Sequence, residues 1–190
     1  MRRLAIALVH YPVLDGQGAI VTTAVTNLDV HDLSRSARTY GCSDYFVVHP
    51  IAAQRELVDR IRTHWTEGSS GKRIPDRKEA LSVLRVVPSL EDAIEALGGR
   101  ANVELWATVA RRIEASNRSL SFAEGRRELE RDDGKPVLVL FGTGWGLASG
   151  VLGTVDALLE PIAAATGSYN HLSVRAACAI ALDRLCGARA

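Results

Sequence analysis

The chain opens with an apolar run over residues 4–9 that breaks at Tyr11-Pro12. With no polar position inside it, that run predicts a strand buried on both faces. Residues 20–25 are rich in β-branched side chains and predict an extension of this strand or a partner near it. The period then changes. Over residues 27–40, Leu28, Leu33 and Ala37 recur at helical spacing, with Asp29 and Asp32 toward the front and Arg35 and Arg38 toward the back. This is the charge order that a helix dipole favours, and Gly41 supplies the stop. Residues 45–48 predict a second compact strand closed by His49-Pro50, and residues 52–65 a helix with Leu57, Val58 and Ile61 on one face.

Residues 67–76 are rich in Gly and Ser and predict a mobile loop. A short helix over 77–84 and a short strand over 85–87 follow. Ser89-Leu90-Glu91-Asp92 resembles a capping box, and Gly98-Gly99 ends the helix it starts. Residues 103–109 predict a strand, and 111–135 a loop with a charged, solvated helix. The strongest strand spans 137–141 and runs straight into Gly142-Thr143-Gly144-Trp145-Gly146. Residues 151–158 carry little pattern, 159–162 form a short apolar stop, and 172–185 predict a long apolar helix. Strands alternating with helices predict one α/β domain over residues 1–190, built on a mainly parallel sheet with helices on both faces.

Composition narrows the partners. Apolar residues make up 47% of the chain and charged residues 24%, the balance of an ordinary globular protein. A net charge of +1 excludes a strongly basic coat, so any RNA contact must come from local clusters. Lys72, Arg73, Arg77 and Lys78 around Ile74-Pro75-Asp76 form such a cluster, suited to phosphates. Arg111-Arg112 and Arg126-Arg127 are further pairs, with acidic residues interleaved among them. Cys42, Cys178 and Cys186 have neither CxxC spacing nor an even count, so they predict reduced thiols and no metal site. The first ten residues resemble a signal peptide only briefly, and no segment approaches the roughly 18 to 20 apolar residues of a membrane span. The expectation is a cytoplasmic protein with no membrane partner.

A buried strand feeding a Gly-rich turn is a recurrent ligand site in open α/β sheets, although the turn alone fits a structural loop equally well. Its spacing matches neither GxGxxG nor the phosphate loop of nucleoside triphosphatases. A second constellation, Tyr169-Asn170-His171-Leu172-Ser173-Val174-Arg175, offers Asn170 or Ser173 as the cap of the following helix. Asp29, His31 and Asp32 are candidate proton acceptors, with capping by Asn27 or Asp29 as the alternative. Arg35 suits a phosphate or an acceptor hydroxyl, or else an ion pair with Asp32. Trp65 and Trp145 serve either base stacking or packing.

Three phrases stand in order: Leu140-Phe141-Gly142-Thr143-Gly144-Trp145-Gly146-Leu147, Leu159-Glu160-Pro161-Ile162 and Tyr169 through Arg175. With His10-Tyr11-Pro12, residues 21–32 and residues 75–81, they resemble a small bacterial family of SPOUT-class RNA methyltransferases. That family is related to a domain found C-terminal to some tRNA guanine-N1 methyltransferases. The resemblance covers nearly the whole chain. It implies a homodimer and a deep trefoil knot within a cofactor-binding part of about residues 104–187. It also implies that S-adenosyl-L-methionine is held, bent, by backbone groups of three loops, without metal. The first loop would be Thr108, Val109 and Ala110; the second Leu140, Phe141, Gly142, Thr143, Gly144, Trp145 and Gly146. The third would run from Leu159 through Pro161, Ile162, Tyr169, Asn170, His171 and Leu172 to Ser173. Arg35-Ser36-Ala37-Arg38-Thr39-Tyr40-Gly41 is similar to the first SPOUT motif, which makes Arg35 the candidate active-site arginine, and the implied acceptor is a tRNA or rRNA. Two departures bear on catalysis: Ala148-Ser149-Gly150 stands where relatives carry polar or acidic residues, and Gly144 where another branch has glutamate. The alternative is a non-catalytic RNA-binding or assembly module on the same knotted dimer; a nucleotide-dependent oxidoreductase lacks the glycine spacing.

Overall fold

The computed structural model describes residues 1–113, 117–166 and 169–188. In chain order they form β1 (Leu4–Val9), β2 (Val13–Leu14), β3 (Ile20–Val21), α1 (Asn27–Thr39), β4 (Asp44–Val48), α2 (Ala52–Thr66), α3 (Ser69–Arg73), α4 (Pro75–Leu81) and β5 (Leu84–Val87). Then come α5 (Leu90–Glu95), β6 (Glu104–Thr108), β7 (Arg118–Leu120), α6 (Phe122–Glu130), β8 (Val137–Gly142), α7 (Ser149–Leu152), β9 (Ala157–Leu159) and α8 (Val174–Cys186).

Seven strands make one sheet in the order β5-β4-β1-β8-β6-β9-β7, and every pairing in it is parallel. The central pair is β1 and β8, with Leu8 opposite Phe141 and Val9 opposite Gly142. Alternation sorts their side chains into two cores. Leu4, Ile6 and Leu8 face the same way as Val137, Val139 and Phe141, under Leu33 of α1, Leu129 of α6 and Leu182 of α8. Ala5, Ala7, Val9, Leu138 and Leu140 face the other way, toward Leu90 and Ile94 of α5 and Val151 of α7. Each fully buried Leu or Ile contributes roughly 1.5–3 kcal/mol, which makes these two strands the spine of the domain.

Going outward from β1 the order runs to β4 and β5, and from β8 to β6, β9 and β7. The direction of winding therefore reverses between β1 and β8. In open parallel sheets a crevice opens at that point beyond the C-terminal strand ends, and Val9 and Gly142 mark it here.

Several expectations need correction. Of the two alternatives for residues 20–25, the extension of β1 fails and pairing nearby holds: Ile20–Val21 pairs antiparallel with Val13–Leu14 in a separate hairpin. The loop predicted over 67–76 is instead α3 and the start of α4. Ser70 and Gly71 are buried there, and a Cβ on Gly71 would lie 2.1 Å from the Trp65 carbonyl oxygen. That glycine permits a close helix crossing. The helix over residues 122–130 is not simply solvated, because Phe122, Gly125 and Leu129 bury one face. Residues 151–158, featureless by pattern, contain the end of α7 and most of β9. Asn27 does not cap α1, and Asp29 contributes as the N3 member of a capping box whose N-cap is Thr26. Thr26 accepts from the Asp29 amide at 3.2 Å, while the Asp29 carboxylate accepts the Thr26 amide at 3.1 Å. The Gly41 stop is borne out by its φ of 73°.

Burial raises the Cys42 and Cys178 thiols well above the ordinary range and Cys186 to about 11, and all three are free thiols. Among the described residues no cluster of three His, Cys, Asp or Glu could hold a metal ion, and no helix is long and apolar enough to cross a membrane.

Candidate active site

The Gly-rich turn leaves β8 at the crevice and is pinned from two directions. Thr143 donates to the Val9 carbonyl through its amide at 3.2 Å and its hydroxyl at 3.1 Å. The β2–β3 hairpin grips the other side: Trp145 N–H donates to the Leu14 carbonyl and Leu14 N–H to the Gly146 carbonyl, both at 2.9 Å. Glycine is required at Gly144, where φ is 59° and a Cβ would stand 2.7 Å from the Leu14 oxygen, and at Gly146, where φ is 109°.

Beside this turn lies a partly open slot of about 140 Å³. A void on the order of 150 Å³ accepts one aromatic ring. Thr108, Val109 and Ala110 form one wall, and Phe141 and Gly142 the second. Glu160, Ile162 and residues 170–172 form the third, with Val174 and Ala177 of α8 and Phe122 of α6 completing it. Cross-links hold the walls in register: Thr108 Oγ1 donates to the Leu140 carbonyl at 3.0 Å, and Asn170 Nδ2 to the Ala110 carbonyl at 3.3 Å. The three loops that the sequence singled out thus meet around one cleft, although not every residue in them lines it.

Leu140 and Leu159 are buried strand positions behind the slot, and Pro161 faces a separate depression. Trp145 lines a neighbouring, wider cavity, whereas Asn170 and His171 are shared by both. Tyr169 is exposed and tilts against His171 at 5.4 Å. Ser173 is the N-cap of α8, accepting from the Ala176 amide at 3.2 Å. Residues 167 and 168 of the third stretch lie outside the described residues.

Sequence reasoning missed Phe122, Glu160, Val174 and Ala177. Glu160 stood inside a quoted phrase. Its carboxylate accepts the Phe122 amide at 2.9 Å and so fixes the start of α6 against the slot.

His10, just past β1, is fully buried under the turn. Its Nδ1 meets Thr23 Oγ1 at 2.9 Å, Thr23 Oγ1 meets Thr143 Oγ1 at 2.5 Å, and Thr143 donates onward to Val9. If the Thr143 hydroxyl proton goes to Val9, Thr23 must donate to Thr143 and His10 Nδ1–H to Thr23. His10 Nε2 then presents a bare lone pair, and among the described residues it has no partner. Burial, with His49 5.2 Å away ring to ring, lowers the His10 pKa to about 4. His49 accepts the Ile51 amide at Nδ1 and contacts the Thr23 carbonyl through Nε2, so it too is a neutral, fixed ring.

The four acceptor-side candidates separate. Asp29 is buried, and besides its capping role it receives Arg175 Nη1 at 3.1 Å. Asp32 pairs with Arg175 Nε at 3.5 Å and not with Arg35. His31 sits edge-on to Trp65 at 5.7 Å, and burial, aided by Arg77, lowers its pKa. Arg35 is exposed and, among the described residues, forms no ion pair; it borders a groove between α1 and α8 with Ser36, Tyr40, Ser173 and Arg175. Of the basic cluster, Lys72, Arg73 and Lys78 are exposed on α3 and α4, but Arg77 lays its guanidinium 4.6 Å over the Trp65 ring.

Comparison with known proteins agrees with this architecture. The model of a family described as SAM-dependent RNA methyltransferase matches residues 3–187. The chain is 42% identical over 186 residues to a tRNA (guanine-N(1)-)-methyltransferase of Oleidesulfovibrio alaskensis, covering 98% of this chain but 42% of that protein. It is 39% identical over 183 residues to an uncharacterized protein of Aquifex aeolicus, covering 95% of this chain and 86% of that one. Among solved structures, TrmJ from Z. mobilis superposes with a TM-score of 0.63 at 17% identity, over 97% of this chain and 69% of that chain, a likeness of fold alone. Carried by a match along almost its entire length, the chain belongs to the family of SAM-dependent RNA methyltransferases.

Proposed function

We propose that this chain binds S-adenosylmethionine in the slot beyond β6, β8 and β9 and methylates an RNA, with tRNA the first acceptor to test. The observation that carries this is the convergence of three backbone loops and the start of α8 around one ring-sized slot. Phe141, Ile162 and Leu172 supply apolar faces, and the surrounding loop backbone supplies polar groups, which together suit a purine ring. When bound, S-adenosylmethionine supplies a sulfonium methyl already activated for transfer. The chain then has to orient the acceptor and exclude water. Arg35, uncommitted at the edge of the α1–α8 groove, is suited to hold an acceptor phosphate bidentately. Asp29 keeps α1 and Arg175 in place, so its role on this reading is to position them. Lys72, Arg73 and Lys78 extend the phosphate-binding surface.

A homodimer and a C-terminal trefoil knot belong to the same proposal. Leu28 stands exposed on the first turn of α1, the turn whose Asp29 pairs with α8. The chain also returns from β9, near one sheet edge, to place α8 against α1 and α6.

Calorimetry with S-adenosylmethionine and S-adenosylhomocysteine, followed by transfer of labelled methyl into RNA from cells lacking the protein, tests the reading. Binding of both with methyl incorporation is expected. Absence of cofactor binding by folded protein would overturn it, and cofactor binding without turnover on any RNA would favour the non-catalytic module.

A further inference from the structure

The slot has a larger neighbour. A cavity of about 580 Å³ shares the wall Thr108–Ala110 and residues 170–171 with it, and opens toward the β2–β3 hairpin. Trp145 stands in this cavity with 67% of its surface exposed, although it is held in place. Its amide is fixed to Leu14, and Gly16 of the hairpin turn approaches so closely that a Cβ there would lie 3.2 Å from the indole. His171 meets the indole edge-on at 6.0 Å, and Tyr169, 77% exposed, tilts onto His171. Arg111 lines the same cavity and is exposed.

We infer that this cavity receives one unstacked nucleobase of the RNA, stacked on Trp145 with Arg111 near its phosphate; the inference rests on the methyltransferase reading. Three observations carry it. A large aromatic surface is exposed on a pinned backbone and already packs against Gly16 and the edge of His171, which lowers the ordering entropy that opposes stacking. A guanidinium, that of Arg111, lines the same cavity as the aromatic ring, and single-stranded nucleic acid selects such a combination. Finally, the cavity shares Thr108–Ala110, Asn170 and His171 with the slot, so a base there would lie next to the cofactor. Asp15 also lines the cavity, with its Oδ1 turned into the hairpin to accept the amides of Gln17 and Ala19 at 2.8 and 2.9 Å.

The test uses the full chain and total tRNA from cells lacking the protein. Filter binding is measured with and without saturating S-adenosylhomocysteine, for wild type, Trp145→Ala and Trp145→Phe. Stacking on one aromatic ring accounts for a factor of roughly 10 to 100 in affinity. Trp145→Ala is therefore expected to weaken tRNA binding at least about tenfold, Trp145→Phe to restore most of it, and the wild-type tryptophan emission to be quenched saturably by tRNA. The thermal midpoint and S-adenosylhomocysteine affinity should stay unchanged in both variants. Unchanged tRNA affinity in Trp145→Ala overturns the inference, whether or not the variant alters the oligomeric state. So does a matching loss of S-adenosylhomocysteine affinity, which would assign Trp145 to the cofactor. Failure of the wild type to bind S-adenosylhomocysteine would instead sink the methyltransferase reading, and the tRNA measurement would still decide on Trp145.

Discussion

Asp29 and Arg35 lie fewer than two turns apart on one helix, and the protein treats them in opposite ways. Asp29 is 4% exposed, with its carboxylate divided between the cap of its own helix and Arg175 of α8. Arg35 projects into solvent at the edge of the groove between the same two helices, where among the described residues it has no ionic partner. A charge that the fold has already satisfied is part of the scaffold; one left unsatisfied beside a cleft is available to a ligand. The sharpest way to break this contrast is Arg35→Ala. Methyl transfer should fall by a hundredfold or more, about 2.7 kcal/mol on the barrier, with an unchanged thermal midpoint and unchanged S-adenosylhomocysteine affinity. A variant that is destabilised yet active would reverse the assignment. Asp29→Ala should do the converse. Losing the Asp29 half of the capping box and the nearer of Arg175's two carboxylate partners is expected to cost about 2–3 kcal/mol in urea unfolding, and Asp29→Asn, which keeps the capping acceptor, clearly less.

His10 adds a third case, a group both buried and unsatisfied. Its folded pKa of about 4 lies below the unfolded value of 6.5 because burial penalises the imidazolium. Between those values the unfolded chain binds the extra proton, so stability is complete above about pH 6.5 and is lost as pH falls toward 4. His49, also lowered by burial, acts in the same direction. From pH 7 to pH 5, His10 alone should remove about 2 kcal/mol. Urea titrations at both pH values should show that slope in the wild type and a clearly smaller one in His10→Gln. An equal slope in the variant would mean that the ring is accessible to protons in the folded protein.

What the sequence disclosed follows the same division between buried and exposed. The β1 and β8 strands were legible because a central parallel strand, covered on both faces, leaves a continuous apolar run. β7 was not, since it is an edge strand in which only Leu120 is buried. α3 was concealed by glycine and serine whose purpose is close packing against Trp65 and not flexibility. In the site, the loops around Val109, Phe141 and His171 were legible through motif resemblance. Phe122 and Glu160 were not, because they reach the slot only once β7 has paired with β9, a contact between segments with no shared pattern. The Arg35–Asp32 pair was a reasonable helical expectation that failed because Arg175, distant in sequence, took the carboxylate.

The smallest expected effect concerns Ser173, which stands between the two kinds of site. It lines the groove of Arg35, and resemblance places it among the cofactor contacts, yet its hydroxyl accepts the Ala176 amide as the cap of α8. If capping is its whole role, Ser173→Ala should cost about 1 kcal/mol in urea unfolding, and Ser173→Asp should recover it, because an acidic cap also suits the helix dipole. S-adenosylhomocysteine affinity should then fall no more than roughly threefold, since fraying of the first turn of α8 disturbs only Val174 and Ala177 at the rim of the slot. A tenfold loss of affinity in Ser173→Ala, without a matching loss of stability, would show the hydroxyl bonding the ligand directly. The line between scaffold and site would then have to be drawn one residue earlier, at Leu172.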